Sequence, residues 1–211
     1  MTRPSATARQ TRDYAHRAAE IADQLRAEIA TIPAVPHGRP ALVVIMGLPG
    51  AGKSHVARML AARLGAAHVA SDELRSRLFI AATYAEEENR AVFAVAGALL
   101  DALLAAGHRV VLDATNLRAR NRERAMSIAR QRGVPVVFVY VNASDADVRA
   151  RLAARRTARA GDDHSDADER IYERMQSDGF EAPPEEYLTV TNGRDLASQI
   201  AAVVDAVEKT P

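Results

Sequence analysis

The sequence predicts a three-layer α/β fold, in which helices cover both faces of a five-stranded parallel sheet. From residue 41 onward, short apolar runs alternate with longer segments of helical periodicity, which is typical of strand–helix–strand units. The first apolar run, 41–46, is followed directly by a glycine-rich turn and then by a helical segment. With 211 residues, 48% of them hydrophobic, the chain is long enough to bury one full core.

Each strand and helix follows from the residues at its position. Runs rich in valine, alanine and other apolar residues predict strands near 41–46, 67–70, 109–112, 134–141 and 187–191. Apolar residues at helical spacing predict helices near 53–64, 72–80, 86–106, 118–132, 145–156 and 194–208. The sequence contains no internal repeat, so we expect these elements to form one domain over 41–211.

The first forty residues differ from the rest of the chain. Apolar side chains recur at helical spacing over 11–30, which predicts an amphipathic helix. Three prolines and a glycine within 31–40 then predict a linker. We therefore expect 1–40 to form a helix and a Pro-rich linker before the main domain. The helix has two possible positions, against its own domain or against a partner.

Composition and charge exclude several classes of function. The formal net charge of +1 argues against a broad surface that coats nucleic acid, and the absence of cysteine excludes thiol catalysis and cysteine-bound metal. No run reaches about 18 apolar residues and the N-terminus lacks an apolar signal-like segment, so we expect a cytoplasmic protein without a membrane partner. The chain has two lysines, Lys53 and Lys209, so nearly every cation is an arginine.

One of these lysines lies in a G-x-x-x-x-G-K-S motif that fills residues 47–54, between the first predicted strand and a helix. This is the pattern of a phosphate-binding loop, in which backbone N–H groups and the helix N-terminus surround phosphate oxygens. The expected ligands are ATP, with Lys53 at the β and γ phosphates, and Mg²⁺ at the Ser54 hydroxyl. The nucleotide-binding residues predicted here are Gly47, Leu48, Pro49, Gly50, Ala51, Gly52, Lys53, Ser54 and His55.

Charged residues follow the second and third strands, at the edge where parallel sheets bind ligands. Asp72 comes just after the second strand, and Arg75 lies one helical turn further on the same face. We expect Asp72 to accept the proton of an attacking hydroxyl and Arg75 to hold a phosphate or the acceptor, although Asp72 could instead cap a helix. Asp113 ends the third strand, where a carboxylate can reach the water shell of Mg²⁺ or form an Asx turn. Thr115 and Asn116 are weaker candidates.

Five arginines cluster on the helix predicted at 145–156 and in the polar loop after it: Arg149, Arg151, Arg155, Arg156 and Arg159. Arg151 and Arg155 are four residues apart and share a helix face. We expect these two to belong to a lid, around 149–178, that brings positive charge onto the transferring phosphoryl group. The alternative is a solvated helix face neutralised by nearby aspartates, and we prefer it for the other three arginines.

Four short segments together resemble a known family: GLPGAGKS (47–54), SDELR (71–75), LDATN (112–116) and RLAAR (151–155). They are similar to the small P-loop kinases related to the kinase domain of phage polynucleotide kinase, with zeta toxins and some antibiotic phosphotransferases as more distant relatives. The resemblance covers roughly 41–208 and implies a P-loop NTPase fold with sheet order 2-3-1-4-5 and a helical lid. It implies that Asp72 is the general base, that Arg155 acts with Arg151 as the lid arginine, and that adenine lies near Asn192.

The predicted function is that of a kinase, which moves the γ-phosphoryl group of ATP to a hydroxyl of a small molecule or of a nucleic-acid 5′ end. Three consecutive acidic residues, 86–88, favour a small or cationic acceptor if one of them points inward; otherwise they start a solvated helix. Aromatic residues make up 4% of the chain, which also disfavours stacking on nucleic acid. Two alternatives remain: an ATP-hydrolysing switch that binds a partner, and a toxin-like kinase of a cell-wall sugar nucleotide.

Overall fold

A computed structural model describes residues 13–14, 16–29, 32–80, 84–157, 169–193 and 195–210, except the side chains of 155–157 and 169. The strands are β1 (Leu42–Met46), β2 (Ala67–Ala70), β3 (Val110–Asp113), β4 (Val136–Asn142) and β5 (Tyr187–Thr191). The helices of these described ranges are α1 (Ala18–Glu28), α2 (Lys53–Leu64), α3 (Ser71–Leu78), α4 (Glu86–Ala105), α5 (Ala119–Arg132), α6 (Asp145–Thr157), α7 (Glu169–Asp178) and α8 (Leu196–Lys209). Among them, none is both long and apolar enough to cross a membrane.

The five strands form one parallel sheet in the order β2-β3-β1-β4-β5. The central strand, β1, pairs with β3 on one side and with β4 on the other, so that Ile45 lies opposite both Asp113 and Val139. The predicted fold class and strand order are therefore confirmed. Because all strands run in the same direction, the residues that follow β1, β2 and β3 meet at one edge of the sheet.

The sheet is buried on both faces, which explains why β1 is a continuous apolar run. Leu42, Val44 and Met46 pack on the face covered by α1, α4 and α5, and Val43 and Ile45 pack on the face covered by α2 and α8. Each of these five side chains is at most 1% exposed. Three layers result, with the sheet in the middle.

The N-terminal helix packs on the main domain. Through Ala18, Ile21, Ala22 and Leu25, α1 contacts α4 and joins the core on that face of the sheet. It ends close to the predicted limit of 30, because the backbone at Ile29 is already extended, with φ −79° and ψ 103°. Residues 13, 14 and 16, before α1, are helical as well. The segment that follows carries the three prolines.

Candidate functional site

The glycine-rich turn after β1 forms a tight loop at the N-terminus of α2. Gly52, the N-cap of that helix, has φ +95°, a conformation that residues with a Cβ rarely adopt. A Cβ at Gly52 would also overlap the side-chain amide of Asn192, and one at Gly47 would lie 2.5 Å from the carbonyl oxygen of Val141. The loop can therefore close this tightly because glycine occupies both positions. Its backbone N–H groups and the end of α2 provide the usual setting for phosphate binding.

Three side chains donate hydrogen bonds to carbonyl oxygens of this loop. Lys53 Nζ donates to the Leu48 carbonyl at 3.0 Å. Arg151 Nη1, from α6, donates to the Ala51 carbonyl at 3.2 Å, and Asn192 Nδ2, from the segment after β5, donates to the same carbonyl at 3.3 Å. The structure thus brings together two cations and an amide that come from distant parts of the sequence.

Helix α6 lies directly against the loop. Leu48 packs with Val148 and Leu152 of α6 and with Tyr172 of α7. A Cβ at Gly50 would approach the Val148 side chain to 2.9 Å, which shows how closely the loop and the helix approach each other. The helices expected to form a lid therefore contact the phosphate-binding loop itself.

The arginines of α6 differ in their surroundings. Arg151 reaches the loop, whereas the Arg149 side chain is 40% exposed and pairs with Asp145 at 2.9 Å and with Glu173 at 3.5 Å. The predicted lid residue Arg155 has a side chain outside the described residues, as does Arg156, and Arg159 lies entirely outside them. The role of Arg155 remains a prediction.

Asp113 lies at the end of β3, beside the start of α2. Its Oδ2 is 3.2 Å from His68 Nε2, and both side chains are buried. Burial alone raises the pKa of this carboxyl, but the hydrogen bond and charge of His68, the charge of Lys53 and a hydrogen bond from Ser54 together outweigh burial. The pKa of Asp113 is therefore below its usual range, and the carboxylate is ionised at neutral pH.

The oxygen atoms of Ser54 and Asp113 fit the requirements of Mg²⁺. This ion takes one or two protein oxygens and completes its octahedron with phosphate oxygens and water. Within the described ranges, no group of three or more His, Asp or Glu side chains could hold a metal ion unaided. A Mg²⁺ ion at this position would therefore depend on nucleotide phosphates for part of its coordination.

Asp72 and Arg75, both on α3, line the same cavity as the loop. Arg75 is 5% exposed, and its guanidinium carbon lies 4.4 Å from the centre of the Tyr84 ring. It donates from Nη2 to Asn89 Oδ1 at 2.7 Å, and its Nη1 lies 3.7 Å from a carboxylate oxygen of Glu88. Residues at and just before the start of α4 thus fix the orientation of the Arg75 side chain.

Of the three consecutive acidic residues, Glu88 points inward and is 2% exposed, whereas Glu86 and Glu87 are exposed and pair with Arg90. The expectation of a wholly solvated helix start is therefore wrong for Glu88. The argument from an inward carboxylate to a cationic acceptor also fails, because the Glu88 charge faces Arg75 rather than the open cavity. The reason is that the Glu88 carboxylate lies beside a buried arginine, whose charge would otherwise be left without compensation.

Residues 115 and 116 support the loop from behind. The Thr115 carbonyl accepts a hydrogen bond from the Gly47 backbone N–H at 3.0 Å. The fully buried Asn116 donates from Nδ2 to the Ile45 carbonyl at 2.8 Å, and its backbone carbonyl accepts a hydrogen bond from Arg122 Nη1 at 2.7 Å. These contacts connect the ends of β1 and β3, so the geometry gives both residues a structural role.

A family model described as an AAA domain (AAA_33) matches residues 42–183. The chain belongs to this family. The match includes the phosphate-binding loop, α3, the end of β3 and α6, that is, the elements that surround the cavity. No curated protein is a significant match to the sequence of this AAA domain.

Solved structures share the fold of this AAA domain. The Mycobacterium tuberculosis APS kinase CysC, in complex with AMPPNP and APS, is 23% identical with a TM-score of 0.58, over 82% of this chain and 100% of that chain. Kti12 of Chaetomium thermophilum, in complex with ADP-AlF3, is 22% identical with a TM-score of 0.64, over 79% of this chain and 96% of that chain. A gluconokinase from Sinorhizobium meliloti is 19% identical with a TM-score of 0.55, over 81% and 97%. At these identities the similarity establishes the P-loop NTPase fold.

Two polar residues of the AAA-domain site are absent from the sequence-based prediction. His68 is the single polar residue of β2, and a histidine within a short apolar strand of a parallel sheet is a signal that could have indicated it. Asn89 follows three glutamates in a segment with the pattern of a solvated helix start, so the sequence offers no comparable signal for its contact with Arg75.

Proposed function

We propose that this protein is an ATP-dependent kinase, which transfers the γ-phosphoryl group of ATP to a hydroxyl of a small molecule or of a nucleic-acid 5′ end. The observation that carries the proposal is that the phosphate-binding loop and Asp72 line one cavity of about 2030 Å³. The resemblance of four sequence segments to the polynucleotide-kinase group supports a hydroxyl acceptor rather than water. The APS kinase and gluconokinase that share the fold support the same reaction class.

In this proposal, the nucleotide phosphates bind at the N-terminus of α2, where the loop N–H groups and Lys53 contact them. Arg151 already lies at the loop carbonyls, close to the position of a phosphate chain. Arg155, one helical turn further, is the expected lid arginine. A Mg²⁺ ion held by Ser54, with Asp113 nearby, would neutralise charge on the β and γ phosphate oxygens. Asn192 lies on the side of the loop where we place the adenine.

At the acceptor end, Asp72 accepts the proton of the attacking hydroxyl as its oxygen bonds to the γ phosphorus. The bond between that phosphorus and the oxygen it shares with the β phosphate breaks, and ADP leaves with that oxygen. Tyr84 and Asn89 hold the Arg75 guanidinium in one position, and from that position Arg75 orients the acceptor. Positioning and charge stabilisation of this kind account for most phosphoryl-transfer catalysis.

The test is a screen of acceptors with γ-labelled ATP, including nucleosides, sugars, aminoglycosides and 5′-hydroxyl oligonucleotides. With the best acceptor, Asp72→Asn is expected to lower kcat by about 10²- to 10⁴-fold, while ATP binding is retained. Asp205→Asn, the same change at an exposed ion pair on α8, is the matched control and should transfer label normally. Unchanged transfer by Asp72→Asn would show that this carboxylate is not the base.

A second candidate function is an ATP-hydrolysing switch that binds a partner. It is favoured by the similarity to Kti12, whose structure holds ADP-AlF3. Such a protein would hydrolyse ATP without any acceptor, and Asp72→Asn would leave its hydrolysis rate close to that of the wild type. Measuring phosphate release and label transfer in the same samples separates the two functions.

A further inference from the structure

Two arginines of α5 face the cavity without a partner in the described structure. The helix carries five arginines, of which Arg122 donates to two backbone carbonyls, and Arg130 and Arg132 each pair with a carboxylate. Arg120 and Arg124 line the cavity. Neither of their side chains forms a hydrogen bond or an ion pair with any residue that the structure describes. The helix thus directs two positive charges into the cavity.

The Arg124 side chain can lie this close to α4 because residue 97 is glycine. A Cβ at Gly97 would overlap Arg124 Nε and lie 3.1 Å from Cζ. Glycine is among the least favourable residues inside a helix, and Gly97 lies well inside the 20-residue α4. The close approach of the Arg124 side chain to the backbone of α4 therefore depends on a glycine, although glycine lowers the stability of that helix.

The carboxylates of the cavity do not neutralise these arginines. Four of the carboxylates that line it already lie beside another cation or a histidine: Glu73, Glu86, Asp113 and Asp178. Arg120 and Arg124 are four residues apart on one helix, so their like charges repel each other. A bound anion would remove this repulsion.

This part of the cavity lies away from the nucleotide side. Helix α5 follows β3, and β3 and β2 lie on the opposite side of β1 from β4 and β5. The residues that mark the nucleotide side, Arg151 and Asn192, follow β4 and β5. The walls made by α4 and α5 therefore belong to the acceptor end, on the same side as Asp72.

We propose that Arg120 and Arg124 bind a phosphate group that the acceptor already carries. This assignment rests on the proposed kinase function, because it places the acceptor between α4 and α5. Guanidinium groups suit the role, since each can donate two parallel hydrogen bonds to phosphate oxygens. A small phosphorylated molecule and a nucleic-acid backbone both present this chemical group.

The first experiment measures binding alone. Inorganic phosphate is titrated calorimetrically into the full chain, with the loop occupied by saturating Mg²⁺ and AMPPNP. The double variant Arg120→Gln/Arg124→Gln is expected to bind phosphate at least tenfold more weakly than the wild type, and Arg130→Gln, on the same helix but paired outside the cavity, should bind normally. Equal affinity in the wild type and the double variant, or no binding by the wild type, would overturn the proposal.

Gly97→Ala provides a second variant that keeps both charges. Its Cβ displaces the Arg124 guanidinium, so phosphate binding should weaken while the helix itself becomes more favourable. Unchanged affinity in this variant would contradict the role of the Gly97 contact. Because these titrations need no phosphoryl transfer, they can fail in an active kinase or succeed in an inactive protein, so the two proposals are tested separately.

The second experiment identifies the source of the phosphate by label transfer from ATP. Ribose 5-phosphate is compared with ribose, and a 5′-hydroxyl dinucleotide is compared with its uncharged methylphosphonate analogue. We expect the wild type to prefer the charged member of one pair at least tenfold in kcat/KM, and the double variant to lose that preference. A wild type that uses both members of each pair equally would overturn the proposal.

Discussion

The buried pair of Arg75 and Glu88 permits a quantitative test of how the acceptor end of the cavity is held. Their side chains are 6% and 2% exposed, and Nη1 lies 3.7 Å from the carboxylate. At an effective dielectric constant of about 20, two unit charges at this separation attract by about 4.5 kcal/mol, much of which compensates their removal from water. Because Arg75→Leu leaves the Glu88 charge buried without this compensation, we expect it to lower the free energy of unfolding by about 3–5 kcal/mol.

The assay is urea unfolding followed by circular dichroism, with the single variants and the double variant Arg75→Leu/Glu88→Gln. Neutralising Glu88 should restore part of the loss, so the double variant should be more stable than Arg75→Leu by about 2 kcal/mol. Arg77→Leu is the control on the same helix, because Arg77 is partly exposed and its ion pairs are worth under about 1 kcal/mol. A loss in Arg75→Leu no larger than in Arg77→Leu, or no recovery in the double variant, would refute the reasoning.

Three further predictions concern the loop, a helix start and the N-terminal helix. Gly52→Ala should cost about 1–2 kcal/mol of stability because of its positive φ, and should weaken ATP binding measured by calorimetry at least tenfold. A hydrogen bond from the Ala119 backbone N–H holds the pKa of Glu181 below its usual range, so this carboxylate stabilises the fold at neutral pH. The stability difference between the wild type and Glu181→Gln should shrink as the pH falls below about 4, and a constant difference would contradict this role. Leu25→Ala should lower the free energy of unfolding, measured in urea, by about 2–4 kcal/mol, because Leu25 is buried in the core. The control Gln24→Ala, at an exposed position on the same helix, should lower it by under about 0.5 kcal/mol. Equal losses would mean that α1 is not part of the core.

Local sequence patterns were sufficient to place the main elements and the strand-end residues. The phosphate-binding loop, Asp72 and Asp113 were predictable because each directly follows a short apolar run, and parallel strands bring their carboxyl ends together. The strand order came from the resemblance of motifs, since hydrophobic periodicity contains no information about which strands pair. The apolar periodicity includes Ile29, whose backbone is extended, so periodicity alone does not give the exact end of α1.

Side-chain orientation at the site could not be derived in the same way. Glu88 belongs to an acidic run that favours a solvated helix start. Its inward orientation depends on Arg75 of a neighbouring helix and on the Tyr84 backbone N–H, which donates to the Glu88 carboxylate at 2.9 Å. The contact of His68 with Asp113 joins residues 45 positions apart, and Arg151 reaches a carbonyl 100 positions earlier. Such contacts depend on tertiary packing, which a local pattern does not contain.

Helix α4 contacts the N-terminal helix α1, and it also lines the cavity through Phe93 and Gly97. The N-terminal helix therefore packs against the helix that Arg124 contacts, and supports that side of the cavity. Removing the residues before 32 would expose the apolar surface of α4 that α1 covers. A segment that lies outside the sheet and its motifs thus supports one wall of the cavity, and we expect its truncation to weaken binding at that wall more than nucleotide binding at the loop.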